Sequence, residues 1–73
     1  MSAPNVNEVT ALRIEFQRRH FALLAAEDHE IFHPSDESHR ATAVAREAQA
    51  PAYIAYITAR GEARAANAVP MGH

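Results

Sequence analysis

The strongest chemical pattern in this chain is a run of five residues, His29, Glu30, Ile31, Phe32 and His33, in the order H-E-x-x-H. On a helix, residues four apart stand one turn above each other on the same face. Two imidazoles at that spacing can reach one divalent cation, and a carboxylate beside the first can take a proton from cation-bound water. Such a centre needs a third protein ligand, for which His39, Asp36, Glu37 and His73 are the candidates.

The pattern resembles the catalytic helix of zinc hydrolases, but over these five residues alone. Two features weigh against that chemistry. Pro34 follows His33 directly, and the residue before a proline is driven out of the α region, so His33 belongs at a helix end rather than on a rigid turn. A hydrolase also needs a cleft, and 73 residues hold barely enough material for one core. A polar helix terminus accounts for the same residues, because a protonated imidazole near the last carbonyls is favoured by the helix dipole. The expectation is no catalytic residue, no metal and no cofactor, with His29, His33 and His39 kept as the metal-ligand candidates. Glu27, Asp28, Glu30, Asp36 and Glu37 crowd the three imidazoles. A pH-sensitive junction therefore stands as the alternative to a solvated corner.

Other active-site chemistry finds no support in the residues. There is no Cys, which removes thiolate nucleophiles, thiolate metal sites and disulfides. Ser2, Ser35 and Ser38 fall in an arm, a cap and a helix start, not on a strand-to-helix elbow. Two glycines cannot build a phosphate-cradling loop.

The elements that must position these residues are helices. Glu8 to about Phe32 contains no Gly or Pro and is rich in good helix formers, with Asn7 as a plausible N-cap. This predicts an extended arm over 1–7 and a helix over 8–32. His33-Pro34 ends it, and Ser35 caps a second helix over 36–50, with Asp36 and Glu37 in its favourable first turn. Pro51 either kinks that helix or opens a third over 52–67. Gly61 interrupts good helix formers within that last segment, and 68–73 reads as a loose tail. The fold class is all-α: a long helix, a Pro-containing turn, then a kinked helix or two short helices folding back.

Wound at 100° per residue, the long helix shows two apolar stripes. Val9, Leu12, Phe16 and Leu23 make one; Ile14, Phe21, Ala25 and Phe32 make another, nearly opposite. In the last segment Tyr53, Ile54, Ile57, Gly61 and Ala65 share a face, and Ala52, Ala55, Ala59, Ala63 and Ala66 make a flat small-residue face. An ordinary surface helix has one apolar stripe. The later segments could flank a central helix and cover both stripes, but they carry little bulk: Val44 is the one large apolar residue between 36 and 50. A patch around Tyr53, Ile54, Tyr56 and Ile57 can shield one stripe, which leaves the other for a partner. The expected protein interface is therefore drawn from Val9, Leu12, Phe16, Leu23, Ile14, Phe21, Phe32, Tyr53 and Ile57.

Composition agrees with that picture. A chain this short buries only about 60% of the surface its unfolded form exposes, so it is marginal alone. The net charge of −2 and the absence of a basic stripe argue against nucleic acid as a partner. No apolar run reaches the ~20 residues that span a bilayer, and no secretory leader is evident. Lys is absent while Ala and Arg are common, the coding bias of a GC-rich genome such as a bacterium or bacterial virus. The resulting expectation is a non-enzymatic helical structural or accessory subunit. It would act through protein–protein contacts, as a homo-oligomer or within a larger complex, in the cytoplasm or a virus particle. A small regulatory or inhibitory protein binding one target is the alternative. A minor metal-binding protein using His29 and His33 is the third.

Overall fold

A computed structural model describes residues 3–68. The chain is all-helical, with no strand among the described residues: α1 (Val6–Phe32) and α2 (Asp36–Asn67) form a hairpin that packs back on itself. The connection is three residues, His33-Pro34-Ser35, and both its ends are set by local chemistry. His33 leaves the helix at φ −137°, as a residue preceding proline must, while its N–H still donates to His29 O at 2.7 Å. Ser35 Oγ accepts from Ser38 N at 3.0 Å and Ser38 Oγ accepts from Ser35 N at 2.9 Å, a reciprocal capping box that starts α2.

One boundary differs from the sequence expectation, and one that the sequence left open is decided. The first helix begins at Val6, not Glu8, and its cap is Asn5 rather than Asn7. Asn5 Oδ1 accepts from Glu8 N at 2.9 Å while its amide approaches Glu8 Oε1 at 3.4 Å, so the acidic residue three places on selects the earlier asparagine. The extended arm is correspondingly shorter. The helix after Ser35 does not break: α2 runs through Pro51 as one helix of 32 residues. Proline removes one intrahelical hydrogen bond, that to the carbonyl of Glu47. Both Pro51 and Glu47 are exposed, so water can satisfy that carbonyl. Ala68 is the extended C-cap of α2, and the expected tail from 69 to 73 lies outside the described residues.

The residues of α2 that lose solvent exposure include Ser38, Thr42, Ala45, Gln49, Ala52, Tyr56, Ala59 and Ala63, at alternating steps of four and three. On α1 the matching set is Val9, Leu12, Phe16, His20, Leu23, Glu27 and Glu30. A repeat averaging 3.5 residues keeps one seam facing a neighbour as in a coiled coil, here between antiparallel helices. The small-residue face of α2 therefore turns toward α1 through Ala52, Ala59 and Ala63, while Ile54 of the expected shielding patch points away, 63% exposed.

Side-chain contacts along the seam change character from end to end. The ring of Phe16 lies 5.1 Å from Tyr53, 6.0 Å from Tyr56 and 5.8 Å from His20, centroid to centroid. His20 Nδ1 meets Gln49 Oε1 at 3.0 Å, and the buried Thr42 hydroxyl lies 3.1 Å from Ser38 O and 3.3 Å from Ala26 O across the helices. The apolar core is thin. Leu23 and Ala59, each 8% exposed, are its buried apolar members among the described residues. The radius of gyration is 17.0 Å, against about 11 Å for a compact domain of this length.

Candidate interaction surface and histidine corner

At the corner, the structure keeps the two imidazoles of the H-E-x-x-H pattern together and turns its carboxylate toward α2. His29 occupies the last turn of α1 and His33 lies beyond it, with ring centroids 5.1 Å apart and both residues exposed. Glu30 points elsewhere. It sits in the seam between the helices, where its Oε1 accepts from His39 Nδ1 at 2.8 Å. That hydrogen bond first, and the Thr42 hydroxyl second, hold the Glu30 carboxyl below its ordinary value. The Glu30 carboxylate is thereby tied across the turn to α2.

No group of three His, Asp or Glu side chains converges to hold a metal ion among the described residues. Asp36 and Glu37 occupy the first turn of α2, where the helix dipole favours them, and His73 lies outside the described residues. Every residue from Ile31 to Glu37 is exposed, so the corner is the solvated tip of the hairpin. A shallow groove lined by Val6, Val9, Arg60, Ala63, Arg64 and Asn67 lies at the opposite, open end.

The apolar stripes of α1 separate cleanly. Val9, Leu12 and Phe16 are half-buried and Leu23 is buried, so this stripe is covered by α2. Ile14, Phe21 and Phe32 remain exposed to 50%, 66% and 76%, and nothing in the hairpin covers them. Of the two α2 residues expected at an interface, Ile57 is half-buried, while Tyr53 keeps 45% of its surface although its ring touches Phe16.

Leu24 (41% exposed) and Ile31 (71%) belong to the uncovered set and escape a reading of the helix as two stripes at 100° per residue. A 3.5-residue repeat finds them: from Ile14, steps of three and four lead through Gln17, Phe21, Leu24 and Asp28 to Ile31. All six of these residues are exposed. Val6, Val44 and Ile54 add scattered apolar exposure elsewhere.

The accessible surface is 5786 Å² for this 8.0 kDa chain, against about 4,450 Å² for a compact monomer of that mass, a surplus of roughly 1,300 Å². None of the described helices is long and apolar enough to cross a membrane. No known family, curated protein or solved structure matches the chain.

Proposed function

We propose that this chain is a non-enzymatic helical subunit that works by protein–protein contact, with the outward face of α1 as its docking surface. One observation carries the proposal. The hairpin buries only Leu23 and Ala59 among its described apolar residues while Ile14, Phe21, Leu24 and Ile31 stand in solvent along one line of α1. Fully burying a Phe, Leu or Ile contributes about 1.5–3 kcal/mol, and a stable domain holds about 5–15 kcal/mol in total. A partner on that line supplies what the thin internal seam lacks. A component of a virus particle, or an accessory subunit of a cytoplasmic multi-protein complex, fits a short rod with one internal seam and one open one.

Paired substitutions with light scattering test this. Phe21→Glu is expected to keep the helical hairpin and abolish association. Phe16→Glu is expected to unfold the hairpin itself, because Phe16 packs against His20, Tyr53 and Tyr56. A purified chain that unfolds cooperatively as a compact monomer, unchanged over a wide concentration range, would overturn the proposal.

A further inference from the structure

Resting on that docking surface, we infer that its occupant is a second copy of this chain, with the two α1 helices running antiparallel. The exposed seam of α1 reads Ile14, Gln17, Phe21, Leu24, Asp28, Ile31. Its order of chemistry is the same from either end: aliphatic, polar, large apolar, large apolar, polar, aliphatic. A seam with that symmetry is complementary to itself when one copy is reversed, as an isologous twofold contact requires.

One register uses every layer. Ile14 faces the partner's Ile31, Gln17 faces the partner's Asp28, and Phe21 faces the partner's Leu24; the twofold axis repeats each pair. The polar layers are then matched, because the Gln17 amide can donate to the Asp28 carboxylate. A slip of one heptad would set Ile31 against the partner's Asn7 in one direction, and in the other carry Ile14 past the end of the partner's α1. A parallel pairing in register would set Asp28 against the partner's Asp28 inside the seam, where unpaired like charges are costly.

Charge along α1 favours the same orientation. Its first half carries Arg13, Arg18 and Arg19 against Glu8 and Glu15, with Arg18 and Arg19 bridged to Glu15, and its second half carries Glu27, Asp28 and Glu30, of which Asp28 lies on the outward seam. Antiparallel pairing sets the Asp28 end of each helix beside the arginine-bearing end of its partner, and it opposes the helix dipoles. The exposed seam lies roughly a third of a turn round α1 from the seam that holds α2, so a third helix has room beside the hairpin. One helix against one helix is a small interface, so the dimer should dissociate on dilution.

Cysteine crosslinking tests both partner and register, because the chain has no cysteine of its own. Ile14→Cys and Ile31→Cys variants are made separately, and each is oxidised alone and then mixed with the other. In the proposed register Cys at 14 lies opposite Cys at 31, whereas two copies of position 14 are about 25 Å apart along the axis. A disulfide needs Cα atoms within about 7 Å. The mixture should therefore give a covalent dimer that neither variant gives alone, with Thr58→Cys on exposed α2 as the collision control.

Sedimentation of the cysteine-free chain should show a concentration-dependent dimer, and Phe21→Glu should weaken it at least about 100-fold, since both copies lose a buried ring. Efficient self-linking of Ile14→Cys alone would overturn the antiparallel register. A chain that stays monomeric at every concentration overturns the second-copy assignment. In that event an apolar dye separates the two proposals. A loosely folded monomer that binds dye, and loses it on Phe21→Glu, still needs a different partner. A cooperatively folded, dye-free monomer ends the docking proposal as well.

Discussion

Glu30 and His39 clasp the closed end of the hairpin, Oε1 to Nδ1 at 2.8 Å, from the last full turn of α1 to the first of α2. The contact joins residues nine apart in sequence and sits just above the capping box that begins α2. It converts the central carboxylate of a metal-site pattern into a structural link.

The link makes stability depend on acid. The folded Glu30 carboxyl titrates below the ordinary glutamate value, held there first by His39 and then by Thr42. A depressed carboxyl contributes stability that is fully present above the unfolded value and is lost as pH falls through the folded one. Urea midpoints should therefore fall as pH drops below about 4.3, the ordinary value for glutamate in an unfolded chain. Glu30→Gln should show a shallower fall over the same window. Identical acid profiles for the two proteins would show that the clasp contributes nothing.

Zinc should find no specific home at the corner. His29 and His33 lie side by side, but Glu30 is turned away to His39 and no third ligand converges among the described residues. Isothermal titration should give weak binding, with nothing retained on dialysis. One equivalent of zinc surviving dialysis, and lost on His29→Ala, would show that the corner rearranges around the ion.

Gly61 is the simplest place to strengthen the fold. It lies inside α2, and nothing stands within 4 Å of the position a Cβ would take, so alanine enters open space. Gly61→Ala should stabilise the protein by about 0.5–1 kcal/mol, through helix propensity and a less disordered unfolded chain. The measurement is the urea midpoint at constant m-value. An unchanged or lowered midpoint would mean that the Gly61 face is in contact with something in solution.

Much of this fold is legible in the residues, and the exceptions have physical causes. Pro34 and Ser35 announce the turn because one forbids helix before it and the other satisfies the amides after it. Pro51 is ambiguous locally, since its ring suits both a first helical position and a kink. Packing of Ala45, Ala52 and Ala59 on either side of the proline keeps α2 continuous. Asn5 and Asn7 compete as caps, and only the reach of Glu8 decides between them. The two stripes of α1 are visible in sequence, but which one α2 covers depends on the turn's geometry. Leu24 and Ile31 stay hidden because, at 100° per residue, they fall between the two stripes, and only the hairpin shows that they remain exposed.

Leu23 and Leu24 are chain neighbours with opposite surroundings, which makes them the sharpest internal test. Leu23 is 8% exposed in the seam against α2, while Leu24 is 41% exposed in the outward seam of α1. Leu23→Ala should remove part of the small core and lower stability by about 2–3 kcal/mol at any protein concentration. Leu24→Ala should cost dilute protein less than Leu23→Ala does, because 41% of the residue is already in solvent within its own chain. At high concentration its effect should grow, since a dimer that buries Leu24 against the partner's Phe21 raises stability by mass action. Thermal melts at two concentrations about 100-fold apart should show a Tm that climbs for the parent chain and for Leu23→Ala. For Leu24→Ala the climb should be smaller. Equal climbs in all three proteins would place the association surface somewhere other than the Ile14–Ile31 line of α1.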